Sequence, residues 1–301
     1  MLAPAIEAAR VASKEKGAEV TEKYMATTVC DEHHDVPVSV SKSFRVLGIR
    51  VDAVQIDDVL RQMEAWIQKW DAGHYIAVTG MHGVTEAQHD PEFAEILNSA
   101  SLVVPDGYPL VVLGRWRGFP LKRRVYGPEL LETFCATTTG KAYRHFFYGG
   151  APGVASDLAQ KFAQRYPDFR VAGTYCPPFR PLSAEEDREV IRLIEESRPD
   201  VLWIGLSTPK QERWMSEHRN KLSVPVMVGV GAAFDFHTGR AVQAPKWMRE
   251  HGFEWLFRLA TEPRRLWRRY LIFGSEFIWL VVLELLGLRK YPQPIPRSRL
   301  G

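Results

Sequence analysis

Residues 102–110 read LVVPDGYPL, three apolar residues followed by Pro105, Asp106, Gly107, Tyr108 and Pro109. The Leu-Val-Val run has the length and character of a strand buried on both faces. The Pro-Asp-Gly that follows stops it with a restricted residue, a carboxylate and an unrestricted residue. As turn chemistry this is ordinary. A lone carboxylate at a strand end is also where an open α/β sheet keeps its ligand site, so the question is whether other chain segments end in the same way.

They do. Residues 44–54 (FRVLGIRVDAV) read as a strand or hairpin, 57–70 as an amphipathic helix and 74–79 (HYIAVT) as a strand. A helix over 91–100 leads into the strand at 102–104, and a helix over 128–139 leads into the strand at 145–148. Next come a helix near 153–166, a strand at 170–174, a helix at 184–197, and strands at 201–206 and 224–230. Repeated βα units with continuously apolar strands predict an α/β fold, a Rossmann-like, mostly parallel sheet with helices on both faces. Ligands of such sheets bind beyond the carboxyl ends of the strands. The segments leaving those ends are TGMHG from Thr79, PDGYP around Asp106, GGAPG from Gly149, STPKQERW from Ser207 and GAAFDFHTG from Gly231.

Each segment has a structural and a functional reading. Gly149 and Gly150 serve a tight strand-to-helix turn or let backbone N–H groups approach a diphosphate at a helix N-terminus. The pattern is neither GxGxxG nor a Walker loop, and the next strand ends without an acid for a ribose, which disfavours a nicotinamide cofactor. Lys210, Gln211 and Glu212 read as helix N-terminal polarity or as a donor-binding cluster. In RRVYGPEL, Gly127 and Pro128 mark a helix start, leaving Arg124 either solvated or aimed at a substrate phosphate. His82, Asp235 and His237 lack the spacing of a metal site, and no DxD pair occurs.

The 301 residues are 46% hydrophobic and 25% charged, the composition of a globular protein with a sizeable core. Cys30, Cys135 and Cys176 form no CxxC and suggest a reducing compartment. Residues 1–43 carry no secretory signal and are expected to be disordered. The net charge of +3 is unevenly spread. From Gly239 onward twelve Lys and Arg face five Glu and no Asp, a balance of +7 that leaves −4 for the rest. Such segregation means attraction to something anionic.

The motifs PDGYPL, RRVYGPEL, FFYGGAPG, AGTYCPPF, GLSTPKQERWM, GVGAAFDFHTG, APKWM and GFEWLFRLATEPRRLWRRYL, in this order, resemble the WecG/TagA/CpsF family of bacterial glycosyltransferases from about Val46 to Leu288. The resemblance implies inverting, metal-independent transfer of one sugar from a UDP-sugar to an undecaprenyl-diphosphate-linked saccharide, in cell-surface or exopolysaccharide assembly. N-acetylmannosamine, its uronic acid and a hexose are the sugars in view. It also implies a core over 44–238 and a basic, helical, membrane-docking appendage over 239–301. The enzyme would sit in the cytoplasm, attached peripherally to the inner face of the cell membrane. Polyprenyl-diphosphate-linked acceptor and anionic membrane surface are then the expected partners. Nucleic acid is not expected, and a homo-oligomer is left open.

On that resemblance Asp106 is the catalytic base, with Thr79 and Arg124 beside it. His82, Gly127, Gly149, Gly150, Lys210, Gln211, Glu212, Asp235, Arg258, Arg265 and Arg268 are the expected substrate-binding residues, with no metal and no cofactor. Many relatives carry Thr and Asn two residues apart where this chain has Thr79, Gly80 and Met81. Methionine cannot make an amide's hydrogen bonds, which leaves His82 to substitute or the sugar contacts to differ. Arg258, Arg265 and Arg268, seven and ten residues apart, would share one helical stripe and close over the donor diphosphate. The apolar run over 271–288 contains Glu276 and Glu284, which argues against a helix surrounded by lipid and for one lying in the membrane interface, with a core helix as the alternative. The competing functional reading is a non-catalytic Rossmann-like module that binds membrane or nucleic acid through its basic tail. Such a module has no need of Asp106, Arg124 and the Lys210–Glu212 cluster at successive strand ends.

Overall fold

The structure, a computed structural model, describes residues 42–291. The expected disorder of residues 1–43 concerns a segment that lies almost wholly outside them. A hairpin, β1 (Ser43–Val46) and β2 (Ile49–Asp52), precedes α1 (Ile56–Lys69). Then follow β3 (His74–Thr79), α2 (Met81–His89), α3 (Pro91–Ser99), β4 (Leu102–Pro105), α4 (Tyr108–Trp116), α5 (Gly127–Thr137) and β5 (Arg144–Gly149). The chain continues with α6 (Val154–Arg165), β6 (Arg170–Tyr175), α7 (Ala184–Ser197), β7 (Val201–Gly205), α8 (Lys210–His218), β8 (Val226–Gly229) and α9 (Ala233–Thr238). The C-terminal part holds α10 (Lys246–Glu250), α11 (Glu254–Thr261), α12 (Pro263–Trp267), a π-helical turn (Arg268–Ile272) and α13 (Phe273–Leu285).

Six strands form one parallel sheet in the order β4-β3-β8-β7-β5-β6. The Rossmann-like α/β expectation holds. Period-two alternation sends Tyr75, Ala77, Phe146, Tyr148, Leu202, Ile204 and Met227 into one apolar layer, with Val84, Phe93, Leu97, Val190, Ile194 and Met215 of the helices on that side. Ile76, Val78, Phe147, Val201, Trp203, Val226 and Val228 enter the opposite layer, against Val59, Met63, Leu130, Phe134, Leu158, Phe162 and Phe234. Because both faces are covered, the strands read as unbroken apolar runs. The hairpin closes the β4 edge: Asp52 Oδ2 accepts from the Val103 amide at 2.8 Å, and an added Cβ on Gly114 of α4 would lie 2.9 Å from the Phe44 ring.

The direction of travel across the sheet reverses after β4: β3 leads outward to β4 at the edge, and β4 leads back past β3, β8 and β7 to β5. The crevice beyond β4, β3 and β8 is therefore the topological switch point.

The C-terminal run packs one face on the core and leaves the other exposed. In α13, Phe277, Leu280 and Val281 are buried in the first layer, and an added Cβ on Gly274 would touch the Met81 methyl of α2 at 3.5 Å. Both glutamates face inward. Glu284 Oε2 lies 3.3 Å from Arg117 and accepts from the Leu47 amide, and Glu276 lies 2.7 Å from His89. The opposite face leaves Ile278, Trp279, Val282 and Leu285 exposed. Among the described residues no helix is long and apolar enough to cross a membrane.

Two substitutions separate the faces of α13. Phe277→Ala empties a core position and is expected to cost about 3–5 kcal/mol. Trp279→Ala, on the exposed face, should stay within roughly 0.5 kcal/mol. Denaturant unfolding of both variants checks this, and equal losses would contradict the two-faced packing.

Candidate active site

Thr79 ends β3 and pairs with Pro105, which ends β4, and the Asp106 amide donates to the Thr79 carbonyl at 2.8 Å. The two strand ends are thus fixed side by side. Gly80 and Gly83 let α2 pass directly over them: a Cβ on Gly80 would meet the Asp106 carbonyl at 2.6 Å, and one on Gly83 would meet Thr79 Oγ1 at 2.2 Å. The Thr79 hydroxyl is consequently sealed and hydrogen-bonds to no described residue. Met81 faces α13 instead of the crevice, so its lack of hydrogen-bonding capacity bears on packing. His82 is the residue of this turn beside the polar cluster, with its ring 5.2 Å from Phe273 and Nδ1 buried without a partner among the described residues.

Asp106 projects into a group of charges drawn from three parts of the chain. The Val125 amide donates to the Pro105 carbonyl at 2.8 Å and brings the 123–126 segment alongside β4. Arg124 Nη1 then lies 3.6 Å from Asp106 Oδ1, while its Nη2 is bonded to Glu254 at the start of α11. The guanidinium stacks 4.2 Å above the Tyr126 ring, and the Tyr126 hydroxyl donates to Glu254 Oε1 at 3.3 Å. Asp106 Oδ1 is shielded from solvent and accepts no hydrogen bond from a described residue. Burial pushes the Asp106 carboxyl up to about 6. Arg124, Arg269 and Arg258 pull it down and Glu254 pushes it further up. Against its own burial, Arg124 is held above its ordinary value by Asp106 and Glu254.

Arg269 is the residue that spacing arithmetic misses. The stripe through Arg258, Arg265 and Arg268 requires one continuous helix, but α11 stops at Thr261 because Pro263, which has no N–H to donate, opens α12. The π-helical turn then changes the register again. Arg258 stays inward, with its guanidinium 5.4 Å from the Phe236 ring and 3.9 Å from Glu262. Arg265 is exposed and paired with Glu262, and Arg268 is exposed over Trp267. Arg269 takes the inward place: its charge acts on Asp106, His82 and Glu212, and burial, then the positive charge of Arg258, lowers its own value. The Glu-Pro at 262–263 is the sequence signal for the broken stripe.

Of the remaining candidates, Gln211 and Glu212 are buried at the start of α8. Glu212 Oε1 accepts from Thr208 Oγ1 at 2.8 Å and from Gln211 Nε2 at 3.0 Å, and Gln211 Oε1 accepts from the Gly231 amide. Glu212 Oε2 has no partner among the described residues, and burial raises its carboxyl. Lys210 points away, over the exposed Phe179 ring at 4.9 Å. Gly149 and Gly150 both adopt positive φ. A Cβ on Gly149 would clash with the Gly205 carbonyl at 2.7 Å, so backbone geometry alone requires these glycines. An added Cβ on Gly127, at the start of α5, would lie 3.1 Å from the Val230 carbonyl. Asp235 is half-buried on α9.

The comparison with known proteins bears on what this arrangement serves. The model of the glycosyl transferase WecG/TagA/CpsF family matches residues 44–291. The chain belongs to that family. It is a glycosyltransferase, and the family match covers both the sheet and the C-terminal helices that carry Glu254, Arg258 and Arg269. Among curated relatives, an N-acetylglucosaminyldiphosphoundecaprenol N-acetyl-beta-D-mannosaminyltransferase of Bacillus spizizenii is 29% identical over 217 residues, 72% of this chain and 82% of the relative. Proteins with the same name from Bacillus subtilis and Staphylococcus aureus are each 27% identical. They match 68% and 74% of this chain and 78% and 86% of their own lengths.

The electrostatics can be tested at His82. Burial, the larger cause, and Arg269, the smaller, bring its imidazole down to about 4, so the ring stays neutral at pH 6 to 8. NMR titration should find that midpoint. Arg269→Gln should raise it while leaving it below the ordinary imidazole value, and an unmoved midpoint would place Arg269 outside the cluster.

Proposed function

We propose that this glycosyltransferase moves one sugar, N-acetylmannosamine in the first instance, from a UDP-sugar to an undecaprenyl-diphosphate-linked saccharide, with inversion and without a metal ion. The names of the curated relatives support the acceptor class and the sugar. The observation that carries the mechanism is Asp106 Oδ1, a solvent-shielded carboxylate oxygen that accepts no hydrogen bond from a described residue, at the switch point of the sheet.

An inverting transfer is one displacement. The acceptor hydroxyl loses its proton to Asp106 as its oxygen bonds to the anomeric carbon, and the bond from that carbon to the UDP oxygen breaks on the opposite face, its electron pair leaving with the diphosphate. A carboxyl of about 6 is ionised at neutral pH yet more basic than an ordinary aspartate. The charge gathering on the departing UDP needs positive groups fixed in advance, and Arg124, Arg258 and Arg269 converge on this crevice. His82 Nδ1 and Glu212 Oε2, each buried without a partner among the described residues, suit the sugar's hydroxyl and amide groups.

The lipid-linked acceptor stays in a bilayer, and the outer side of the C-terminal helices suits that surface. Trp247, Phe253, Leu256, Trp267, Leu271, Ile278 and Trp279 are exposed there, interspersed with Arg264, Arg265 and Arg268. Aromatic and aliphatic side chains enter the acyl boundary while arginines meet anionic head groups, so the protein attaches peripherally to the cytoplasmic face.

Asp106→Asn should lower kcat by roughly two to four powers of ten while UDP binding by calorimetry stays close to that of the wild type. Wild-type turnover should also survive EDTA. Ordinary turnover of the Asn variant would remove Asp106 from the mechanism, and loss of activity on chelation would remove metal independence.

Vesicle flotation tests the membrane reading. Full-length protein should bind vesicles containing phosphatidylglycerol and release as salt rises, and a Trp267→Ser, Trp279→Ser variant should bind markedly less with an unchanged melting temperature. Equal binding to neutral vesicles, or by the variant, would contradict it.

A further inference from the structure

Glu254 has no place in the displacement itself. It is nevertheless nearly fully buried in the first turn of α11, and it bonds to a core arginine 130 residues away in sequence. Arg124 is shared between two carboxylates on unequal terms. Glu254 holds Nη2 in a direct ion pair and also accepts from the Tyr126 hydroxyl, whereas Asp106 Oδ1 stands 3.6 Å from Nη1, beyond hydrogen-bonding distance. A planar guanidinium ordinarily closes on a carboxylate through two parallel bonds. Here one of the two nitrogens that would do so is taken.

We propose that Glu254 is a positioning residue: by holding Arg124 it prevents that guanidinium from closing on Asp106, and so leaves Asp106 Oδ1 free to take the acceptor's proton. The proposal rests on Asp106 being the base. It gives the C-terminal helices a role in setting the strength of that base, in addition to bringing arginines to the donor.

The charged surroundings agree in sign. Arg124 and Tyr126 face Asp106 from the segment before α5, Glu254 and Arg258 from α11, and Arg269 from the π-helical turn, while Arg249 of α10 lies 5.7 Å from the Tyr126 ring. The three arginines favour ionised Asp106, and Glu254 is a neighbouring carboxylate whose charge opposes it. Removing that charge and releasing Arg124 act in the same direction, toward a more acidic and weaker base.

The test is the pH dependence of kcat for full-length wild type, Asp106→Glu, Glu254→Asp and Glu254→Gln. The acidic limb that Asp106→Glu displaces is the one belonging to the base. Glu254→Gln should move that limb to lower pH by about one unit and reduce kcat on the plateau severalfold. Glu254→Asp, whose carboxylate is withdrawn by one methylene, should move it the same way by less. If Glu254→Gln does not fold, the downward shift in Glu254→Asp decides. A limb fixed at its wild-type position in the Glu254 variants, whatever their activity, would reduce Glu254 to a structural ion pair. No displacement in Asp106→Glu would instead overturn the base assignment on which the proposal rests.

Discussion

A carboxylate partly withdrawn from water must be compensated, and how completely it is compensated sets what it can do. At the end of β4 the compensation is partial. Arg124 stands near Asp106 without bonding to it, Arg269 and Arg258 contribute at longer range, and Glu254 draws part of that positive charge to itself. Full pairing with Arg124 would give a stable but weakly basic aspartate, and no arginine at all would leave it protonated. The crevice, the close passage of α2 over two strand ends and the docking of the C-terminal helices all serve to hold this balance.

The sheet was legible because its strands are buried on both faces. Val, Ile, Leu and Phe in short unbroken runs admit few alternatives, and the strands found over residues 74 to 230 differ from expectation only at their ends. Two of the helices that were not legible show why. In α4 (YPLVVLGRW) the apolar residues surround the axis, and α2 (MHGVTEAQH) starts with a glycine and a histidine where an amphipathic pattern would start. Asp106 was legible because strand-end polarity is a local signal, and Arg124 because it stands just before the Gly-Pro helix start of RRVYGPEL. Arg269 and Glu254 were not, since one depends on where a proline and a π-helical turn reset the register, and the other on a partner 130 residues away.

The C-terminal helices present two faces, one packed on the core and one exposed. Gly274, Phe277, Leu280 and Val281 bind α13 to α2, the helix that covers Thr79, and Glu276 and Glu284 point inward to His89 and Arg117. The opposite apolar face is exposed. A displacement of α13 relative to α2 would therefore be felt at Phe273 and His82. An exposed apolar surface and the packing beside His82 are thus two sides of the same few turns.

Partial compensation of Asp106 is tested most directly by titrating that one carboxyl with carbon-13 NMR in the ligand-free, full-length protein, assigned with Asp106→Asn. Burial opposed by incomplete pairing predicts a midpoint at about 6. A midpoint at or below the ordinary aspartate value of about 3.9 would mean that Arg124 pairs fully with Asp106 and would contradict partial compensation.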